Sequence, residues 1–398
     1  IKTGKHHMKS FIKYIFCLLC LNCDSQIQHA EIVNYTKNNV IGDTTSLKHF
    51  FQKLDSLKEH NTKTVNIVHI GDSHIQADYF SGMLRVLFQE KFGNAGRGLI
   101  FPYKLAHTNE PTNYFSYSTT EWLGIRNVLN PNNCNLGISG VSLFSKSIHS
   151  DISIKIKNST HCNYAFNRIE LFSEETNPKN TTITNCYSKE KENSFLTTIK
   201  LKDTTHLLTL NFNNQKPIDI HGIVLKNDCT GILYHTIGVN GATYKSYNKT
   251  TLFAQQLSYL QPDLIIISLG TNESYDAKFD SLQFKNELQT FVNTIKKSCG
   301  NCSILFTTPA DNFKIHKKKI THNAKPKTVT QIINNYAKVE HYATWNLYEI
   351  MGGKGSMKTW HKHKLSTKDH VHFTRAGYEL KGKLLFDALM EKYNSKNK

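Results

Sequence analysis

Two widely separated stretches carry side chains whose types and spacing could move a proton and form a bond. The first is Gly71-Asp72-Ser73, in which a serine hydroxyl ends a tight turn. Such a hydroxyl becomes a nucleophile when a base reaches it. The second is Asp369-His370-Val371-His372, where a carboxylate and an imidazole stand three positions apart. A carboxylate at that spacing can fold back onto one ring nitrogen and leave the other free to accept a proton. Ser73, His372 and Asp369 are therefore the candidate nucleophile, base and orienting acid. Each type also has a plainer use. Most such tripeptides are simple turns, and most of the 20 histidines belong to surface or core, with His370 as the adjacent distractor.

The surrounding pattern supplies elements able to position these groups. The apolar run 65–70 reads as a buried strand, and Tyr79, Phe80, Met83, Leu84, Leu87 and Phe88 follow at helical spacing. Strand, turn and helix would lift Ser73 to the carboxyl edge of a parallel sheet. The almost wholly apolar run 264–269 reads as a central parallel strand, with Asn272 just past its end. A helix over 281–297, a strand over 304–307 and a helix over 328–341 continue the alternation. The last helix carries Tyr378, Leu380, Leu384 and Leu385. Before the first strand, Leu47, Phe50, Phe51, Leu54 and Leu57 predict a helical lead-in within 31–61.

The middle of the chain follows another rule. From 103 to 233, short β-branched stretches (152–156, 195–201, 207–212 and 218–225) alternate with Asn, Thr, Ser and Gly clusters, the pattern of a β-sandwich. Its aromatic residues, such as Tyr114, Phe115, Tyr117 and Trp122, suit sugar stacking or plain core packing. The glycine-rich stretch 93–98 reads as a loop bordering the site. It lies after a helix, which excludes a dinucleotide fingerprint. Gly352-Gly353-Lys354-Gly355 reads as a second loop.

With Val239-Asn240-Gly241-Ala242 and Leu269-Gly270-Thr271-Asn272-Glu273 added, the outer blocks resemble the SGNH (GDSL-type) hydrolase family, named for its Ser, Gly, Asn and His. The resemblance leaves the middle segment outside the shared blocks. It implies an α/β fold, a three-layer α/β/α flavodoxin-like parallel sheet interrupted by the inserted β-sandwich. The expected division is an upstream extension and signal peptide over 1–30, a first hydrolase part over 31–102, the insert over 103–233 and a second hydrolase part over 234–398. The family's catalytic set falls on Ser73, Asp369 and His372. Its oxyanion hole falls on the backbone N–H groups of Ser73 and Gly241 and the side-chain amide of Asn272. Glu273 stands where the family often has Asp. Gly140, in Gly137-Ile138-Ser139-Gly140, is a fallback for the glycine block. The helix-like stretch and strand that follow Gly241 favour the later position.

The resemblance implies a serine esterase that needs neither cofactor nor metal. Esterases with inserted sandwiches point to an O-acetylated polysaccharide or peptidoglycan as substrate. Two alternatives stay open: an O-acyltransferase passing the same acyl group to a sugar hydroxyl, and a carbohydrate-binding protein on an inactive scaffold. The intact set of five residues argues against the second.

Composition narrows the setting. At 398 residues and 39% hydrophobic content, the chain can bury a large core. Its net charge of +18 favours acidic surfaces. The lysines are scattered apart from Lys317-Lys318-Lys319 and the C-terminus, and neither zinc-finger nor RNA-binding motifs occur, so no nucleic-acid partner is expected. Met8-Lys9 followed by the apolar stretch 14–21, too short to span a bilayer, reads as an export signal, which implies a periplasmic or cell-envelope location. Cys23 is a candidate lipid-anchor site, with ordinary signal cleavage as the competing reading. Connectivity among Cys134, Cys162, Cys186, Cys229, Cys299 and Cys302 is not fixed by sequence. Cys299-Gly300-Asn301-Cys302 reads as a local disulfide or a free pair at a helix-to-strand turn.

Overall fold

The computed structural model describes residue 29 and residues 31–42, 45–129, 134–157, 162–174, 177–317 and 319–395. The export stretch, with Cys17, Cys20 and Cys23, lies outside the described residues. The expected central strand is present as part of a six-stranded sheet. Its strands are β1 (Val40–Ile41), β2 (Thr64–Gly71), β3 (Gly231–Gly238), β4 (Leu264–Ser268), β5 (Ser303–Thr307) and β6 (Ala343–Trp345). Their order across the sheet is β1-β6-β5-β4-β2-β3. The five larger strands run parallel, and β1 pairs antiparallel with β6 at the edge. Numbered along the chain, the parallel strands read 2-1-3-4-5, the flavodoxin-like order. The direction of winding reverses at β2, between β3 and β4, where ligands bind in open α/β sheets.

Successive side chains of a strand point to opposite faces, so a strand buried on both sides must be apolar throughout. In β2, Val65 and Ile67 enter one core, together with residues of α1 (Lys48–Lys58), α2 (Phe80–Phe92) and α5 (Arg375–Ser395). Val68 and Ile70 enter the other, with residues of α3 (Ser281–Cys299) and α4 (Lys325–Val339). This second core continues without a break into the β-rich segment, through residues such as Leu99, Ile169 and Leu208.

That segment forms three antiparallel sheets of five, four and three strands. Its strands alternate as half-buried strands do: in His149–Ile156, Ile152, Ile154 and Ile156 are buried while Lys155 is exposed. Two sequence expectations are corrected here. The stretch 93–98 is no loop throughout, because Gly96–Ile100 is an edge strand paired with Gly222–Lys226. Its glycines permit a close approach. A Cβ on Gly98, at φ +78, would lie 2.2 Å from the Tyr234 carbonyl oxygen of β3. The parallel strand β3 also escaped the reading, and the boundary expected at 233/234 falls inside it. Its β-branched composition matched the antiparallel strands before it, and composition does not encode strand direction. Cys299 and Cys302 flank the turn between α3 and β5 as free thiols joined by a hydrogen bond.

The two parts of the chain meet at one buried carboxylate. Asp78 accepts from Arg85 Nη2 at 2.7 Å and Arg97 Nη2 at 2.6 Å, and also from Ser81, Asn113 and Thr236. Arg85 and Ser81 belong to α2 and Thr236 to β3, while Arg97 lies in the edge strand of the β-rich segment. Burial alone would raise the Asp78 carboxyl, but the two guanidinium groups outweigh it and hold the group well below the usual carboxylate range. Asp78 has φ +54, a conformation asparagine also tolerates. Asp78→Asn therefore removes the charge while sparing the backbone. It should cost about 3–5 kcal/mol, as breaking a buried ion pair does, read as a lower midpoint in urea unfolding.

Candidate active site

Register brings the candidate residues to one edge. Gly71 of β2 lies opposite Gly238 of β3 and Ser268 of β4. The chain thus leaves all three strands at the same level. Ser73, Gly241 and Asn272 follow two, three and four residues later. Asp72 caps the short helical turn Ser73–Gln76, its carboxylate accepting the His74 N–H at 2.9 Å. The turn is tight: a Cβ on Gly71 would lie 2.3 Å from Ile75 Cγ1 and 2.8 Å from the Ser268 carbonyl oxygen. The Tyr247 hydroxyl locks it by donating to the Gly71 carbonyl at 2.6 Å.

The structure brings Ser73, His372 and Asp369 into one relay. Ser73 Oγ lies 2.9 Å from His372 Nε2, and His372 Nδ1 lies 2.7 Å from Asp369 Oδ2. With the carboxylate ionised, the ring proton sits on Nδ1, and Nε2 accepts from the serine. The loop is held from within. Asp369 Oδ1 accepts from Thr367 Oγ1 at 2.6 Å and from the backbone N–H groups of Val371 and His372 at 2.9 and 3.0 Å. The Thr367 N–H returns a bond to the His372 carbonyl at 2.9 Å. His370, at φ +52, turns its ring away to pack on His361 and Phe313, so the distractor has a structural use.

The electrostatics follow from these contacts. The bond to Asp369 raises the His372 imidazole above its ordinary value, against the opposing effect of burial. Burial would raise the Asp369 carboxyl, but donors from the His372 ring, Thr367 and the backbone hold it well below the usual range. Burial pushes the Asp72 carboxyl up to about 6, opposed by the His74 N–H and the nearby His372 and Lys381 charges.

Gly241 sits at φ +84 and lines the same cavity as Ser73. A side chain there would meet only Val128, at 3.8 Å, so the positive φ rather than protein crowding calls for glycine. Among the described residues its N–H has no protein partner. Gly140, the fallback, packs against Val239 and Tyr247 and does not line the cavity. Asn272 Nδ2 donates to the Ala242 carbonyl at 2.9 Å and, more loosely, to Asp72 Oδ2 at 3.3 Å. The neighbouring Glu273 is half-buried with its carboxylate turned inward, and it accepts the Tyr244 N–H at 2.8 Å, which ties the helix Tyr244–Asn248 to the Asn272 turn. Burial pushes its carboxyl up to about 7.

Three residues behind the site were not foreseen. Gln76 accepts the Asn240 N–H at 2.7 Å and donates to the Asn109 carbonyl at 2.7 Å, joining the Gly241 loop to the β-rich segment. His74 bonds the Tyr378 hydroxyl at 2.9 Å, and its ring centroid lies 5.1 Å from that of His372. Lys381 is buried, with Nζ 4.5 Å from the ring centroids of both Phe80 and Phe373. Burial pushes its amine down to about 7. A lysine in a helix reads as solvated. The available signal was its place among Tyr378, Leu384 and Leu385 on one helix face.

The cavity above Ser73 has a volume of about 710 Å³, is open to solvent, and has Tyr79, Tyr275 and Val371 among its lining residues. Comparison with known proteins bears on the fold and the family match. Residues 224–380 match the GDSL-like lipase/acylhydrolase family. The match starts inside the strand Gly222–Lys226, near the end of the β-rich segment, and takes in Gly241, Asn272, Asp369 and His372 but not Ser73. No curated protein matches the chain. Among solved structures, one titled a peptidoglycan O-acetylesterase in action superposes with a TM-score of 0.75 at 22% identity, covering 89% of this chain and 99% of that one. The shared fold therefore takes in the β-rich segment as well as the sheet. An acetyl xylan esterase matches at 15% identity over 40% of this chain and 81% of its own, with a TM-score of 0.33. A family two carbohydrate esterase from Cellvibrio japonicus matches at 12% identity over 71% and 98%, with a TM-score of 0.30.

The relay makes a prediction about titration. NMR of the His372 ring should give a pKa above that of an ordinary imidazole. Asp369→Asn should lower it, and an unchanged value would contradict the pairing.

Proposed function

We propose that this chain, whose residues 224–380 match the GDSL-like lipase/acylhydrolase family, is an esterase that releases O-acetyl groups from a cell-wall or other polysaccharide through an acyl-enzyme on Ser73. The observation that carries this reading is the Ser73–His372–Asp369 relay, at 2.9 and 2.7 Å, facing an open cavity. His372 Nε2 takes the Ser73 proton, and Oγ attacks the acyl carbonyl. Asp369 orients the ring and stabilises its cationic form. Three donors serve the oxyanion: the N–H of Ser73 at the start of its helical turn, the N–H of Gly241, and Asn272 Nδ2. Asn272 turns one hydrogen from its loose 3.3 Å contact with Asp72 toward the oxyanion. The protonated His372 then gives its proton to the leaving sugar hydroxyl. Water, activated by the same ring, attacks the acyl carbon, frees acetate and restores Ser73.

The substrate class draws on three supports. A solved structure that covers 89% of this chain is named as a peptidoglycan O-acetylesterase. The +18 net charge suits an anionic polymer. The basic start and apolar stretch 14–21 support export to the envelope, where such polymers lie.

The first test is acetate release from p-nitrophenyl acetate, O-acetylated peptidoglycan and acetylated xylan. Wild type should release acetate and Ser73→Ala should not; equal release from both would overturn the reading. Asn272→Ala should lower kcat by on the order of a hundredfold or more, the usual loss for one oxyanion donor. An accepting His372 must be neutral, and its pKa is raised. Activity should therefore fall on the acid side at a pH above the ordinary imidazole titration, and Asp369→Asn should move that limb lower while reducing kcat.

A further inference from the structure

We propose that the hairpin formed by Phe313–His316 and Lys319–His322 is a substrate-reading arm, which holds the carboxylates of an acidic glycan at the mouth of the Ser73 cavity. The proposal rests on the esterase reading above and narrows its substrate from acetylated polysaccharides in general to negatively charged ones.

The hairpin departs from the sheet between β5 and α4. Two strands alone are marginal in water, so a protruding pair needs an anchor. This one is anchored at its base, to the catalytic loop itself. The Phe313 N–H donates to the His370 carbonyl at 3.1 Å, two residues before His372. His322 Nε2 lies 2.7 Å from the buried Asp311 carboxylate. The Phe313 ring packs on His322 and His370, with centroids 5.2 and 5.7 Å away. The arm is thus set in fixed relation to the relay, although neither strand contributes to it.

Its outer part contradicts the needs of a merely structural hairpin. Ile315 and Ile320 are cross-strand partners and are 43% and 40% exposed, so the pair buries little. Ile315 lines the cavity that holds Ser73. Tyr275, also on the cavity wall, is 38% exposed and carries Lys314 Nζ 5.2 Å from its ring centroid. Lys317 and Lys319 occupy the exposed turn. Lys278 and Lys325 lie near the same wall: Lys278 is exposed, and Lys325 Nζ bonds the carbonyls of Asp276 and Ala277. The nearby carboxylates are Asp276, exposed beside Lys278, Asp311, already committed to His322, and Asp369 on the cavity wall, already committed to His372. One rim of the cavity is therefore apolar on the inside and cationic on the outside. A sugar presenting a hydrocarbon face to Ile315 and Tyr275, with a carboxylate beside it, matches both. The Lys314 ammonium, over a ring of the cavity wall, acts on a polymer lying across the cavity, since charges interact over about 8 Å at physiological salt. A small neutral ester would not sense it.

The test compares Lys314→Gln/Lys317→Gln/Lys319→Gln with wild type on O-acetylated peptidoglycan, a neutral acetylated xylo-oligosaccharide and p-nitrophenyl acetate. On the acidic polymer KM should rise about fivefold or more, with kcat held and the dependence on salt flattened. The two neutral substrates should be unaffected. An unchanged KM on the acidic polymer would overturn the proposal. So would an equal loss on all three substrates, which would make the arm a support for the catalytic loop alone. A binding arm works without turnover: Ser73→Ala should hold the acidic glycan in low salt, and adding the three lysine substitutions should weaken it by a similar factor. If wild type cleaves no ester, the esterase reading fails on p-nitrophenyl acetate, while this binding comparison still decides the fate of the arm.

Discussion

The parallel pairing of β2 with β3 on one side and β4 on the other is the constraint on which the site depends. Hydrogen bonds in a parallel ladder are spaced evenly, so fixing one pair fixes the whole register. With Gly71, Gly238 and Ser268 at one level, three loops from distant parts of the chain open at the same edge. A one-residue slip in either pairing would move the apolar set of a strand to the opposite face. The two cores flanking the sheet draw on alternate residues of the four strands β2, β3, β4 and β5, and so forbid that slip. The positions of Ser73, Gly241 and Asn272 are consequences of core packing on both faces of the sheet.

Around that edge the protein holds an unusual density of buried polar groups. Asp72, His74 and Lys381 are all buried within or beside the nucleophile turn. Among the described residues, no carboxylate lies within salt-bridge distance of Lys381. It sits among the faces of Phe80, Phe373 and Tyr378. Aromatic faces offset part of the cost of removing an ammonium from water, and the lowered pKa records the part that remains. Asp72 carries the opposite imbalance, with a raised pKa and one loose donor in Asn272. Buried charges opposed across a short distance moderate one another without a direct bond. They surround the turn with a field, while the relay itself stays half-exposed and open to a substrate.

The β-rich segment is joined to this arrangement rather than hung from it. Asp78 neutralises one guanidinium from α2 and shares its charge with another from the edge strand Gly96–Ile100. Gln76, two residues earlier, spans from Asn240 to Asn109. The nucleophile turn therefore contacts the insertion through consecutive polar side chains. The second core runs across the same boundary. Insertion and sheet share an interior, which agrees with a solved fold that matches both together.

Sequence by itself determined most of the elements of the sheet and singled out three side chains that the fold brings together. Ser73, Asp369 and His372 were legible as a set because a hydroxyl, a carboxylate and an imidazole are distinct residue types. The sheet was legible because strands buried on both faces must be largely apolar, as 264–267 is. Local rules also separated Gly241 from Gly140, through the helix and strand that follow the later glycine. What only the tertiary structure decided were relations between distant segments: the register that levels three loops, the direction of β3, and the edge strand hidden in a glycine-rich stretch. It alone put Lys381 in the interior and Glu273 under the Tyr244 helix. Periodicity records which face of an element is apolar. It does not record which other element covers that face, and a buried charge has meaning only through the groups that surround it.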